Sequence, residues 1–165
     1  MNNILVLGGG KVGSAIGYDL NQNYDVTVAD NNRETLKKLN SKYKFKTICL
    51  DFLDTPLLKK TLQKYDLIIS AVPGFMGFAT LKTIIEAQKD VVDISFFPEN
   101  ALELDALAKK NNITALVDFG VAPGLGNILF GHYDTLMKIE SYEIEKMDFI
   151  FLDYFIVCIL CQARC

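Results

Sequence analysis

The sequence predicts an α/β protein built on a doubly wound parallel sheet, and three observations predict it. Short apolar runs alternate with amphipathic stretches along the chain, the pattern of strands joined by crossover helices. The first run, Ile4-Leu5-Val6-Leu7, breaks into Gly8-Gly9-Gly10, and a helical pattern begins at once. A second run, Asp25-Val26-Thr27-Val28-Ala29-Asp30, ends on a carboxylate, about 20 residues after the glycines, as a dinucleotide-binding turn requires. Together these features outline the Rossmann dinucleotide-binding fold.

Gly8, Gly10 and Gly13 fit G-x-G-x-x-G. Alone the motif is weak, and a glycine-rich turn in another α/β protein is the competing reading. The strand before it, the helix after it and Asp30 give it weight. Gly8 permits the tight turn, Gly10 lets the backbone approach a pyrophosphate, and Gly13 lets helix and strand pack closely. Gly9, Lys11 and Val12 complete the turn, whose free N–H groups at the positive end of the helix would hold the phosphates. Asp30 would accept hydrogen bonds from the adenosine ribose hydroxyls. That favours NAD as cofactor, since a carboxylate repels a 2′-phosphate, while Arg33 follows closely enough to keep NADP open. Asn31 completes the set expected on the adenosine side.

The remaining elements follow in order. Val12, Ile16 and Leu20 recur every four residues and predict the first helix, with Gly17 keeping its contact close. Leu36, Leu39 and Tyr43 mark a second helix, followed by a third strand over residues 45–50. Asp54-Thr55-Pro56 opens a third helix, Asp54 as N-cap and Pro56 in the first turn, with Leu58 and Leu62 on its apolar side. Leu67-Ile68-Ile69-Ser70-Ala71-Val72 is apolar at almost every position, as in a strand covered on both faces. Pro73 and Gly74 stop it, and a helix is expected over residues 78–88. Val91-Val92-Asp93-Ile94 predicts a fifth strand, Ala101, Leu104, Leu107 and Ala108 a further helix, and residues 113–117 a sixth strand. In such a sheet the ligand lies at the strands' carboxyl ends.

Composition excludes other classes. Half of the 165 residues are hydrophobic and 22% are charged, a globular balance rather than a disordered one. A net charge of −3 with no basic stripe argues against a nucleic-acid partner. The short apolar run at the N-terminus lacks a charged n-region and is too short for a signal peptide, so a cytoplasmic location without a membrane partner is expected. Cys49 is expected in the core. Cys158, Cys161 and Cys165 form C-x-x-C-x-x-x-C, but zinc wants four ligands and the single histidine, His132, lies far back in the chain. No metal site is expected, and His132 reads as a surface or helix-packed imidazole.

A second glycine-rich stretch, Asp118-Phe119-Gly120-Val121-Ala122-Pro123-Gly124-Leu125-Gly126-Asn127, follows the sixth strand. Its glycines and proline allow a backbone-lined turn whose N–H groups face the crevice; an ordinary loop into a helix over residues 127–137 is the equal alternative. Together with residues 6–13 and Val92-Asp93-Ile94-Ser95-Phe96, this stretch resembles the saccharopine dehydrogenase family, most of all its lysine 6-dehydrogenase-like branch, over residues 3–144. The Asp-x-Gly-x-x-Pro-Gly turn is the most specific part of that resemblance. It implies an NAD(P)-dependent oxidoreductase acting on the C–N bond of an amino acid. It places residues 70–74, with Ala71, Val72 and Pro73, along the nicotinamide ribose, and Asp51 near the adenine. Asp93 and Ser95 from one segment, and Gly120, Pro123, Gly124 and Asn127 from the other, would meet the amino-acid substrate. It points to no particular catalytic acid or base.

Chains of that family are longer and continue into a substrate-binding, dimerising domain built on an antiparallel sheet, so a homodimer is a further expectation. Residues 1–137 are expected to form the dinucleotide-binding domain, and residues 138–165 the start of the second domain followed by an atypical hydrophobic tail. Residues 138–144 alternate like a first strand, whereas residues 149–161 are nearly all apolar, broken by Asp153. The tail reads as a frame change or truncation near residue 145, ahead of a genuine oligomerisation or membrane-touching segment. On that reading the chain binds cofactor and is catalytically inert. A rival is a non-catalytic regulatory NAD-binding module of the potassium-uptake type, which residues 8–14 and 51–67 also resemble. The second glycine-rich turn argues against it.

Overall fold

The computed structural model describes residues 3–120, 124–139, 143–149 and 152–158, the last two stretches by their backbone alone. It divides into two compact units, Met1–Val117 and Asp118–Cys165.

The first unit carries the sheet. Strands β1 (Asn3–Leu7), β2 (Asp25–Asp30), β3 (Lys46–Cys49), β4 (Leu67–Ser70), β5 (Asp90–Asp93) and β6 (Ala115–Leu116) form six parallel strands in the order 3-2-1-4-5-6. The order reverses between β1 and β4, where the loops leaving the two strands diverge and open a crevice. Between the strands run α1 (Lys11–Leu20), α2 (Arg33–Tyr43), α3 (Thr55–Leu62), α4 (Gly74–Glu86), a 3-10 turn (Ala101–Leu104) and α5 (Asp105–Asn111).

Both faces of the sheet are covered, which is why β1 reads as an unbroken apolar run. Leu5 and Leu7 join Leu58 and Leu62 of α3 and Leu81, Ile84 and Ile85 of α4 in one core. Ile4 and Val6 point the other way, into a second core with Val26, Val28, Leu39 and Phe45, flanked by Ile16 and Leu20 of α1. Each such fully buried side chain contributes about 2 kcal/mol. Asp54 caps α3 by accepting the Leu57 N–H at 3.1 Å, with Pro56 in the first turn.

Several elements depart from expectation, each for a local reason. Helix α4 begins at Gly74 rather than near residue 78, because Pro73 has backbone angles suited to a helix start and Gly74 lets the helix begin against a neighbouring loop. The sixth strand shrinks to Ala115–Leu116, paired only with Val91 and Val92, as an edge strand held on one side. The helix around Leu104 starts as a 3-10 turn before α5. In α1, Gly13 and Gly17 are buried as their close-packing roles require and Ile16 and Leu20 pack on the core, but Val12, the first residue of the stripe, is 58% exposed. Cys49 is exposed rather than in the core. It closes an edge strand, and its thiol donates to the Asn31 carbonyl at 3.7 Å.

The second unit contains α6 (Leu125–Asp134) and an antiparallel hairpin of β7 (Glu143–Phe149) and β8 (Leu152–Cys158). Helix α6 starts two residues earlier and ends three residues earlier than residues 127–137. Of the strand expected over residues 138–144, Lys138 and Ile139 are not in a strand, Glu143 and Ile144 belong to β7, and residues 140–142 lie outside the described residues. Cys161 and Cys165 also lie outside them.

Candidate functional site

The site begins with the turn that leaves β1. Gly8 has φ +102°, a left-handed conformation that side chains disfavour. A Cβ there would also collide with the Ala71 carbonyl oxygen at the end of β4. The Gly8 N–H is held by the Ala29 carbonyl at 2.9 Å, and the Ala71 N–H by the Leu7 carbonyl at 2.8 Å. The turn is thereby pinned to both neighbouring strands. A Cβ on Gly13 would collide with the Gly8 carbonyl oxygen, so the first turn of α1 sits directly on the loop.

Gly10 behaves differently. A Cβ built on it meets nothing within 4 Å. It is the N-cap of α1, and no side chain caps that helix. The first-turn N–H groups therefore face open space at the positive end of a helix, which is what a pyrophosphate needs. The turn closes on Gly8 and Gly13 and leaves room at Gly10, where the phosphates would come.

Asp30, at the end of β2, takes part in the turn itself. Its Oδ2 accepts the Gly9 N–H at 2.7 Å and its Oδ1 accepts the Asn32 N–H at 2.8 Å. A carboxylate has about four acceptor positions, so room remains for ribose hydroxyls. Gly9, only a spacer in the motif, is itself confined by Leu39, Asp30 and Thr35. Asn32 caps α2 by accepting from the Glu34 and Thr35 N–H groups at 2.9 and 3.2 Å. An asparagine just ahead of a helical stretch is the sequence signal of such a cap.

Beyond Asp30, α2 and β3 enclose a cleft of about 420 Å³ lined by Arg33, Leu36, Lys37, Asn40, Ser41, Thr47 and Cys49. Cys49 pairs in register with Asp30, so the cleft adjoins the adenosine end of the crevice. Arg33 and Lys37 bring two cations to it. Asp51, Lys11 and Asn31 are exposed, Asp51 accepting the Leu53 N–H at 3.0 Å. At the other end, Ala71 is half-buried, Val72 buried and Pro73 exposed.

Of the residues the resemblance assigned to substrate, Asp93 is fully buried and Ser95 is 5% exposed; the structure sets both side chains beneath the surface. In the second unit, Gly124 has φ +133°, and a Cβ on it would collide with the Gly120 carbonyl. The Leu125 N–H donates to the Gly120 carbonyl at 2.8 Å. Asn127 is exposed, and Pro123 lies outside the described residues. His132 is exposed on α6, its ring edge-on to Tyr133 at 5.3 Å. Among the described residues no group of three or more potential metal ligands occurs, and no helix is long and apolar enough to cross a membrane.

Strand order, glycine turn and acidic residue define a nicotinamide-dinucleotide-binding Rossmann domain. The chain belongs to the saccharopine dehydrogenase NADP-binding domain family, whose profile matches residues 4–116. Among curated relatives, the L-glutamate-forming, NADP(+) saccharopine dehydrogenase of Pyricularia oryzae is 35% identical over 104 residues, 62% of this chain and 23% of that protein. The corresponding enzyme of Saccharomyces cerevisiae is 30% identical over 128 residues, 76% of this chain and 29% of that protein. The chain thus spans roughly a quarter of those relatives. The apo yeast enzyme's solved structure superposes with a TM-score of 0.70 at 27% identity, over 86% of this chain and 34% of that one.

The TrkA-N domain of the Escherichia coli inner membrane protein ybaL also superposes, with a TM-score of 0.55 over 82% of this chain and 97% of that one. At 15% identity that likeness shows the fold alone. The regulatory-module alternative is therefore not favoured.

Proposed function

We propose that this chain is the cofactor-binding part of an oxidoreductase of saccharopine dehydrogenase type, acting on the C–N bond of an amino acid. A nicotinamide dinucleotide, when bound, supplies the acceptor or donor of a hydride. In the oxidative direction the amine-bearing carbon gives up that hydride while its nitrogen loses a proton, and the imine left behind takes up water to give a carbonyl compound and release the amine. The chain's own residues bind and orient. The N–H groups at the start of α1 hold the phosphates, Asp30 accepts from the adenosine ribose, and Ala71, Val72 and Pro73 border the nicotinamide end. Gly120, Pro123, Gly124 and Asn127 stay assigned to the substrate by resemblance.

The observation that carries this reading is the open space at Gly10 between two closed glycines. Asp30 favours NADH, while Arg33 and Lys37 in the adjoining cleft give a 2′-phosphate somewhere to go. With no tryptophan in the chain, the test is a titration against NADH and NADPH read by the cofactors' own fluorescence. Both are expected to bind, NADH more tightly, and Arg33→Ala is expected to weaken NADPH about tenfold while sparing NADH, as loss of one charged phosphate contact should. A chain that binds neither cofactor would sink the proposal.

A further inference from the structure

Three buried polar residues lie at the carboxyl ends of β4 and β5: Ser70 and Asp93, with no exposed surface, and Ser95, 5% exposed. Burying a carboxylate is costly unless it is hydrogen-bonded, so the bonds Asp93 makes indicate its purpose. Ser70 and Asp93 face each other in register across the two strands. The Asp93 Oδ1 accepts the Ser95 N–H at 2.6 Å, a short bond. It folds the exit of β5 into a tight bend, as aspartate side chains do when they accept from a backbone N–H two residues on. The Ile94 N–H donates to the Ser70 carbonyl at 3.0 Å. The Ser70 and Ser95 hydroxyls are 3.4 Å apart, long for such a bond, so the backbone link is the stronger tie.

That bend then seats the start of α4. The Phe96 carbonyl presses so closely on Gly74 that no Cβ would fit between them. A Cβ on Gly77 would stand 2.6 Å from Phe97 Cδ1 and 3.0 Å from Ser95 Cβ. Residues 95–97 thus form the bed on which the first turn of α4 rests, and that turn follows directly on Ala71, Val72 and Pro73. The adenosine side of the crevice is built from other elements, the turn after β1 and the end of β2.

We infer that Asp93 and Ser95 are positioning residues: from beneath the surface they hold residues 71–74 in place for the nicotinamide half of the cofactor. The inference rests on reading the crevice as a nicotinamide-dinucleotide site. Loosening the bend penalises the nicotinamide half and spares the adenosine half.

The experiment compares NADH with ADP-ribose, which has the adenosine and pyrophosphate but no nicotinamide, by calorimetric titration of the full chain. Asp93→Ala is expected to weaken NADH about tenfold, the scale of one lost buried hydrogen bond, with ADP-ribose held within about twofold. Asp93→Asn keeps an acceptor for the Ser95 N–H and is expected to restore NADH to within about threefold of wild type. If circular dichroism shows that Asp93→Ala does not fold, Ser70→Ala carries the same comparison, with about a threefold loss for NADH alone. Equal weakening of both ligands, or no change in either, overturns the inference and leaves the proposed function standing. A wild-type chain that binds neither ligand overturns the proposed function, and this inference with it.

Discussion

The turn after β1 and the segment after β4 meet at the same edge of the sheet, and each runs straight into a helix that no side chain caps. In sequence both look like glycine-rich helix starts. In space their glycines do opposite work. Gly10 faces a void, so the lack of a side chain there serves something outside the protein. Gly74 faces the Phe96 carbonyl, so the lack of a side chain there serves the protein's own packing. Glycine at a helix start therefore does not identify a phosphate site. What identifies it is empty space where the Cβ would go, flanked by positions where no space exists.

Three substitutions sharpen or break this contrast. The largest effect is expected at Gly8, where alanine would suffer both the left-handed backbone and the collision with Ala71. Gly8→Ala should cost about 3 kcal/mol, combining strain and overpacking, measured by urea unfolding. A loss below about 0.5 kcal/mol would mean that the turn is not clamped between β1 and β4. Gly74→Ala meets only the Phe96 carbonyl, with no backbone strain, and should cost about 2 kcal/mol. ADP-ribose binding to the folded protein is expected to persist in that variant. Its disappearance would place Gly74 with Gly10 rather than apart from it.

Gly10→Ala should change stability least, by less than about 0.5 kcal/mol, since its backbone suits any residue and its Cβ touches nothing. The same methyl group should cost at least about tenfold in NADH affinity, because it stands where the pyrophosphate must approach. A Gly10→Ala chain that binds NADH like wild type would remove the basis of the contrast. So would one destabilised as much as Gly8→Ala.

Much of the fold was legible because it is written in local periodicity. The alternation of apolar runs and helical stripes predicted six parallel strands, and six form. Asp30 was read as the carboxylate that closes β2, and it does close it. The caps at Asp54 and Asn32 follow from the chemistry of short polar side chains at helix starts, though only the first was recognised. Two positions differ from that local pattern, each for its own reason. A lone cysteine in a strand is expected in the core, but β3 lies at an edge, and an edge leaves some positions, Cys49 among them, open to solvent. Val12 fits the stripe of α1 yet is exposed, whereas Gly13 and Gly17 make the close contact expected of them, because the helix approaches the sheet too nearly for anything larger.

The candidate site divides along the same line. By itself the sequence determined the order of strands and helices, the glycine spacing and the presence of an acid at the right distance. These depend on residues close together in the chain, where covalent geometry sets the period. Only the tertiary structure decided that Gly9 and Asn32 share the Asp30 carboxylate, that Asp93 and Ser95 lie beneath the crevice, and that Gly10 is open while Gly74 is closed. Each of those facts depends on what a distant segment brings opposite: Ala71 against Gly8, Phe96 against Gly74, Ser70 beside Asp93. A side chain's role at such positions is set by the shape of the space it enters, and that space exists only once the sheet has assembled.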